Sequence, residues 1–145
     1  MRVVKPVAFD VHEWLELVGE IVSGEIDGFG WGYNRGDMEN TFFVYLYDHE
    51  MLVLKDKEKI VGTLAGMVAP YMGNYSTTYF MESLWCVKKG YNGLQLFYEM
   101  QKHLRARGIK KMVMGHSHSL RPELFKKLYP RLGFKLQESH YIKDL

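Results

Sequence analysis

The stretch TYFMESLWCVKKGYNGLQLF, residues 78–97, decides the fold of this chain. Its first half, Thr78 to Val87, is rich in aromatic and β-branched side chains, which predicts a buried strand. A short loop follows, and a helix begins near Asn92-Gly93 and continues to Arg107, because apolar residues recur there at helical spacing. A strand that leads through a short loop into a long helix is typical of an α/β domain built in layers.

Before this stretch, the sequence predicts two helices joined by a glycine-rich segment. Asp10, with Glu13 three residues later, predicts a capping box at the start of the first helix. The segment GEIDGFGWGYNRGD, residues 24–37, contains too many glycines for regular structure. A second, aromatic-rich helix is predicted over Met38 to Tyr47.

The remaining segments predict the strands that complete a mixed sheet. Met51 to Leu54 and Ile60 to Ala69 predict a hairpin before the quoted stretch. After it, the predictions are a strand over Ile109 to Met114, a helix over Arg121 to Leu132, and a last strand or hairpin over Phe134 to Lys143. The chain is therefore expected to form one α/β domain over residues 1–145, with a mixed central sheet flanked by helices.

Composition and charge limit the class of protein. Of the 145 residues, 47% are apolar and 25% are charged, which is close to the globular average and excludes disorder. The single cysteine, Cys86, allows neither an intrachain disulfide nor a cysteine-rich zinc site. A net charge of +2 argues against a broad nucleic-acid surface, and the longest mostly apolar stretch, Ile60 to Gly73, is too short to span a bilayer. We therefore expect a soluble, cytoplasmic protein.

The start of the helix at Asn92-Gly93 is a candidate anion site. The first N–H groups of a helix have no partner within the helix and attract anions, above all phosphate. Lys88 and Lys89 precede this helix and would add positive charge. A plain strand–loop–helix connection with solvated lysines is the alternative, since no P-loop or dinucleotide glycine pattern is present.

Tyr129 stands out within LFKKLYPRLGF, residues 124–134. It lies on the apolar side of a predicted helix, five residues before Phe134. Core packing would explain a tyrosine at this position, and a phenol that donates a proton at the open centre of the sheet is the functional alternative.

In this order, the two features resemble the GNAT superfamily of acyl-CoA-dependent N-acetyltransferases. In that family the fourth strand ends in Val, and after a short loop Arg-Gly-x-Gly-x-Gly or Ala opens a helix. Here Glu82 to Val87 corresponds to the strand end, and Asn92 to Phe97 to the helix start. Leu128-Tyr129 and Gly133-Phe134 match a later signature, an aliphatic residue and Tyr followed by Gly-Phe. The resemblance covers nearly the whole chain in element order and implies the GNAT fold.

The helix start departs from the family pattern at three positions. Asn92 stands where the family has Arg, and Gln95 and Phe97 stand where it has small residues. Because small residues let a helix start approach a pyrophosphate closely, the bulkier pair is expected to weaken or alter acyl-CoA binding. Pro130, directly after Tyr129, lacks an N–H and tightens the end of its helix. Such a degenerate loop is similar to that of small, divergent members, including those encoded by bacteriophages.

The resemblance implies direct attack of an amine on acetyl-CoA in a ternary complex. Glu82, the only acidic residue between Thr78 and Val87, is the candidate base that removes a proton from the amine, and a surface carboxylate is its alternative interpretation. Tyr129 is the candidate acid for the leaving thiolate. Backbone N–H groups near the end of the fourth strand would polarise the thioester carbonyl. The residues assigned to acetyl-CoA are Trp85, Cys86, Val87, Lys88, Asn92, Gly93, Leu94 and Gln95.

Four further residues are candidates for contact with the acceptor. Trp31 and Tyr33 lie in the glycine-rich segment, which in the family lies over the acceptor site, and aromatic packing into the core is the alternative. His116 and His118 follow a predicted strand, and their spacing puts both rings on one side of an extended chain. Because no cysteine or second ligand cluster accompanies them, no metal is assigned, which leaves substrate contact or an ordinary polar loop.

Two functions are compatible with the resemblance. The first is an N-acetyltransferase that moves an acetyl group from acetyl-CoA to a primary amine of an unidentified acceptor, and Glu82 and Tyr129 favour it. The second is a GNAT-fold binding or regulatory protein that has lost transfer chemistry, and the altered loop from Asn92 to Phe97 favours it. The family often dimerises, so the resemblance is compatible with a homodimer but does not decide the oligomeric state, whereas nucleic acid and membrane are not expected partners.

Overall fold

One mixed sheet forms the centre of the computed structural model, which describes residues 1–116 and 121–145. The order across the described sheet is β1-β2-β3-β4-β5, with antiparallel pairs from β1 to β4 and a parallel pair between β4 and β5. The strands are β1 at Arg2–Val4, β2 at Glu50–Asp56, β3 at Lys59–Tyr71, β4 at Asn74–Val87 and β5 at Lys111–Val113. The predicted α/β fold with a mixed sheet is confirmed, while the short β1 had no sequence signal of its own.

The described part of the chain divides into two compact units, residues 1–115 and 116–145. The first holds the sheet and three helices, and the second holds the fourth helix and the C-terminal segment. The helices are α1 at Val11–Gly28, α2 at Arg35–Asp48, α3 at Leu94–Ala106 and α4 at Pro122–Arg131. No helix within residues 1–116 and 121–145 has the length and apolar character needed to cross a membrane.

Both faces of the sheet carry a hydrophobic cluster. Val53 and the buried Trp14 of α1 belong to the cluster beneath α1 and α2. Leu52 and the buried Leu96 of α3 belong to the cluster on the other face. Successive residues of β2 thus supply opposite clusters, as the alternation of side chains along a strand requires.

The glycine-rich segment is more helical than the sequence suggests. Residues 24–28 belong to α1, and α2 already begins at Arg35, so the prediction of no regular structure over residues 24–37 is wrong at both ends. A glycine costs a helix only about 1 kcal/mol, which an already nucleated helix tolerates. The chain leaves helical geometry at Gly30 and Gly32, whose φ angles are +79° and +72°.

The predicted capping box at the start of α1 is also wrong. Asp10 receives the backbone N–H of Val7 at 2.9 Å and the ammonium group of Lys55 at 2.8 Å. Glu13 accepts the backbone N–H of Ile60 at 3.0 Å. Both carboxylates therefore tie α1 to the sheet instead of bonding to each other's backbone.

The predicted last strand over Phe134 to Lys143 is absent from the described residues, which show no strand after β5. Leu136 and Tyr141 of this segment are almost fully exposed. A strand needs a neighbour that pairs with its backbone groups, and the apolar alternation of a segment cannot supply that neighbour.

Candidate active site

A β-bulge interrupts the regular pairing of β4 with β3 in the middle of β4. Gly66 of β3 lies opposite Glu82, and Ala65 lies opposite Leu84, so that Ser83 is an extra residue in β4. A Cβ atom at Gly66 would overlap the ring of Phe80 and the carbonyl of Met81. Glycine at this position is therefore what allows the bulge.

The parallel pair between β4 and β5 ends where this bulge begins. Tyr79, Phe80 and Met81 pair with β5, whereas β4 continues to Val87. Because β5 ends at Val113, the second half of β4 has no parallel neighbour among the described residues, which leaves an opening beside β4. The region beyond the end of a parallel strand in an α/β sheet is a common place for a ligand.

Glu82 lies at the start of this opening. Its Oε2 accepts the backbone N–H of Gly115, just beyond β5, at 3.0 Å. Burial raises the pKa of Glu82 to about 7, the charge of Glu25 on α1 contributes to the rise, and the Gly115 N–H opposes it. A carboxylate with this pKa exchanges protons near neutral pH, as a general base must.

Cys86 lies on the same strand and is buried. Burial raises the pKa of its thiol to about 12, and the charge of Glu82 adds to the rise. The side chain is therefore inert, in agreement with its place in the hydrophobic cluster under α1.

The start of α3 packs tightly against the end of β4. A Cβ atom at Gly93 would stand 2.5 Å from Cγ2 of Val87 and 3.3 Å from Nε1 of Trp85. Gly93 therefore serves the close approach of helix and strand. The partly buried side chains of Trp85 and Val87 line this contact.

The anion site predicted at this helix start is partly occupied by the chain itself. Asn92 Oδ1 accepts the N–H of Leu94 at 2.9 Å. Asn92, the residue that replaces the family's Arg, thus blocks one N–H group that a phosphate would use. The N–H groups of Gly93 and Gln95 have no hydrogen-bond partner within the described part of the chain.

Gln95 and Phe97, the two bulky residues of the helix start, have different surroundings. Phe97 is buried and stacks on Trp85 with 6.3 Å between ring centroids. Its bulk therefore lies in the helix–strand contact and leaves the anion site open. Gln95 is exposed, so of these two residues it is the one that can contact a ligand.

The loop before α3 is held to the rest of the sheet. The N–H of Lys88 donates to the carbonyl of Val61 at 2.8 Å, and the Tyr91 hydroxyl donates to Asp56 at 2.9 Å. The Lys88 ammonium lies 4.0 Å from Glu20 of α1. Its positive charge is thus shared with a carboxylate, but the group stays accessible.

The two aromatic candidates of the segment between α1 and α2 differ in exposure. Trp31 is 71% exposed and can contact a ligand. The N–H of Tyr33 donates to Asp27 at 2.7 Å, and its hydroxyl is buried beside Gly19 of α1, with no hydrogen-bond partner among residues 1–116 and 121–145. Tyr33 thus fixes the segment on α1, while Trp31 projects from it.

Tyr129 and His116 lie together in the second unit. The His116 ring is nearly parallel to that of Phe125, and its centroid lies 6.4 Å from the Tyr129 ring. Tyr129 also contacts Phe134, and the N–H of Phe134 donates to the carbonyl of Tyr129 at 3.0 Å. These contacts fix the orientation of the phenol. His118 lies outside the described residues.

The sequence does not predict the part that three residues of this site play. Gly115 supplies the N–H that binds Glu82, Glu25 lies on a part of α1 that was predicted to be irregular, and Gly66 permits the bulge. A glycine inside a strand is a signal for a bulge or a close approach, so Gly66 alone could have been found. No group of three His, Cys, Asp or Glu side chains among the described residues is arranged to hold a metal.

Solved structures with this architecture include two acetyltransferases and a regulator. An aminoglycoside acetyltransferase from an uncultured soil metagenomic sample is 17% identical, with a TM-score of 0.72 over 99% of this chain and 97% of that chain. Ribosomal-protein-alanine N-acetyltransferase from Brucella melitensis biovar Abortus 2308 is 14% identical, with a TM-score of 0.71 over 100% of both chains. A transcriptional regulator from Bacillus halodurans C-125 is 17% identical, with a TM-score of 0.76 over 99% of both chains.

These similarities establish the fold. The chain has the fold of the GNAT acetyltransferases along its whole length, as the sequence resemblance implied. No protein-family model matches the sequence, and no curated protein matches it either.

Proposed function

We propose that this protein is an N-acetyltransferase that transfers an acetyl group from acetyl-CoA to a primary amine. The observation that carries the proposal is the position of Glu82 directly after the last residue of β4 that pairs with β5, with its carboxylate bound to the N–H of Gly115. The similarity to solved acetyltransferases supports the same reaction class.

Glu82 is proposed to act as the general base. A lysine-like amine is protonated at neutral pH and becomes nucleophilic only after it loses a proton. A carboxylate with a pKa of about 7 can accept that proton at physiological pH and release it afterwards. The Gly115 N–H holds the carboxylate in place. The amine is proposed to pass its proton to this carboxylate directly or through one water.

The start of α3 is proposed to hold the acyl-CoA, which supplies the activated acetyl thioester. The N–H groups of Gly93 and Gln95, together with the Lys88 ammonium, fit the pyrophosphate. Fewer N–H groups are available to the pyrophosphate than at an uncapped helix start, because the N–H of Leu94 already donates to Asn92. Backbone groups of Trp85, Cys86 and Val87 are proposed to polarise the thioester carbonyl.

Tyr129 is proposed to donate a proton to the thiolate that leaves, as its counterpart does in the family that this sequence resembles. Trp31, His116 and His118 are proposed to contact the acceptor. The solved structures carry different acceptors in their names, an aminoglycoside and a ribosomal-protein alanine, so the acceptor is proposed only as an amine. A cytoplasmic location is proposed because the single cysteine fits a reducing compartment.

A second candidate is a binding or regulatory protein with the same fold and no transfer chemistry. The self-bonded Asn92 favours it, because it removes one N–H group from the donor site. The similarity to a transcriptional regulator is compatible with it.

Calorimetric titration of the full chain with acetyl-CoA tests the donor site. We expect a Kd of roughly 1–100 µM. An acetylated pantetheine thioester, which lacks the pyrophosphate, is the matched control and should bind at least about tenfold more weakly. Acetylation of a polyamine, an aminoglycoside and a free peptide N-terminus then tests transfer. No acetyl-CoA binding near 1 mM would refute the transferase, and binding without transfer to any amine would favour the second candidate.

A further inference from the structure

One face of the sheet is left open where β3 and β4 extend past β2. Gly66 is the last residue of β3 that pairs with β2, and β3 continues beyond it. In this part of the sheet, Val68 and Phe80 belong to the cluster beneath α3. Because side chains alternate along a strand, Met67 and Met81 point to the opposite face.

Two rows of side chains form this side of the sheet, which we call the open face. Met67 pairs with Met81 in the first row, and Tyr79 pairs with Lys111 of β5 in the second. The ring of Tyr71 meets the ring of Tyr79 edge to face, with 6.4 Å between the centroids. Met67, Met81 and Tyr71 are 46%, 40% and 46% exposed. The open face is therefore accessible to a ligand.

The open face carries almost no charge. Residues 66–81 and 111–113, which supply it, contain one charged residue, Lys111. A ligand with several ammonium groups needs carboxylates beside it, and this face presents a lysine instead. Methionine thioethers and tyrosine rings make favourable contacts with an aromatic or aliphatic group.

The open face begins at the proposed base. Glu82 directly follows Met81 along β4, and Tyr79 lies three residues before Glu82, which is roughly 10 Å along a strand. Electrostatic interactions of Glu82 with Glu25 on α1 and with Cys86 in the cluster beneath α1 place its carboxylate on the same side of the sheet. An amine that meets Glu82 can therefore lay the rest of its molecule against Met81 and Tyr79.

We propose that the acceptor is a primary amine carried on an uncharged aromatic or aliphatic group, which packs along the open face while the amino group meets Glu82. This inference rests on the proposed acetyltransferase function and deepens it by naming the class of acceptor. In the reaction, the amine nitrogen bonds to the acetyl carbonyl carbon and the carbon–sulfur bond of acetyl-CoA breaks. The amine proton passes to Glu82, and the sulfur leaves as the thiolate of CoA. Polyamines and aminoglycosides are disfavoured acceptors, because each carries several ammonium groups.

Calorimetric titration of the full chain, alone and saturated with CoA, tests this class of acceptor by binding. Phenethylamine has one ammonium group on an aromatic body, ethylamine lacks the ring, and spermidine carries several ammonium groups. We expect phenethylamine to bind at least about tenfold more tightly than either of the other two amines. In assays with acetyl-CoA, kcat/KM should follow the same order.

The variant Met67→Asp places a carboxylate on the open face, opposite Met81. It should weaken phenethylamine binding at least about tenfold and strengthen spermidine binding. Phe9→Asp makes the same change at an apolar residue outside the open face, 97% exposed, and should keep the wild-type order. If circular dichroism shows that Met67→Asp does not fold, Met67→Gln replaces it and should weaken phenethylamine binding at least about threefold.

Four outcomes would overturn the proposal. They are spermidine binding at least as tight as that of phenethylamine, no phenethylamine binding by the free chain or its CoA complex, an unchanged order of affinities in the Met67 variant, and an equal change in Phe9→Asp. Faster transfer to spermidine would overturn the class of acceptor and leave the acetyltransferase standing. The acetyltransferase itself fails if the amines bind in the expected order and none is acetylated.

Discussion

At the scale of single residues, the protonation of Glu82 makes the sharpest prediction. Below a pH of about 7 the carboxyl group carries a proton and cannot act as a base, so wild-type kcat/KM should rise as pH increases through 7. Glu82→Gln should lose this rise, and its rate should fall by about 10²- to 10⁴-fold above pH 7. Steady-state kinetics between pH 5 and 9 measures both. Glu16→Gln, an exposed carboxylate of α1, is the control and should keep the wild-type profile.

The same substitution has a stability readout that does not depend on activity. The pKa of Glu82 is raised from 4.5 to about 7 on folding, so the stability that the protonated carboxyl contributes is complete below pH 4.5 and is lost as pH rises through 7. Glu82→Gln stays neutral and should gain up to about 3 kcal/mol relative to wild type across that interval. A pH-independent difference in urea unfolding would show that the environment of Glu82 does not disfavour its charge.

Tyr129 supports a separate prediction at this scale. Removal of its hydroxyl leaves a ring that still packs against Phe125 and Phe134, so the second unit should keep its structure in Tyr129→Phe. We expect kcat to fall by about 10²-fold while acetyl-CoA affinity changes little, because the proposed role of the hydroxyl is proton donation to the leaving thiolate. Tyr141→Phe, in the exposed C-terminal segment, is the control. Unchanged turnover would remove Tyr129 from the acid role.

At the scale of elements, the bulge in β4 depends on Gly66. In Gly66→Ala, the new methyl group meets the ring of Phe80 and the carbonyl of Met81, so β3 and β4 must shift. Urea unfolding should show a loss of about 1–3 kcal/mol, and kcat should fall because Glu82 moves with the bulge. Gly24→Ala is the matched control, since it adds a methyl group in open space on α1 and should stabilise by about 0.5–1 kcal/mol. Equal effects of the two substitutions would contradict this account.

Helices and strands differ in how far the sequence predicts them. The apolar spacing of α3 predicts Leu96, Met100 and Leu104 as core residues, and all three are buried, because a helix fixes its own face by local geometry. The C-terminal segment has strand-like alternation and forms no strand, because pairing depends on a distant neighbour.

At the scale of the whole molecule, the sequence predicts the order of layers but not the geometry of the candidate site. The sequence motifs predict that Glu82 lies on a strand and that the next element is the helix α3. The structure has this order, with Glu82 on β4 and α3 as the element that follows. The hydrogen bond from Gly115 and the charge of Glu25 come from segments 33 and 57 residues away from Glu82 along the chain. Such contacts depend on how strands separate and where a helix ends, which local patterns do not encode.

The burial of Cys86 has a kinetic consequence. With a pKa of about 12, roughly one molecule in 10⁵ carries a thiolate at neutral pH. Cys86, the only cysteine of the chain, therefore cannot hold an acetyl group between two half-reactions. This agrees with the proposed direct attack, in which donor and acceptor are bound at the same time, and double-reciprocal plots of rate against either substrate should then intersect instead of running parallel.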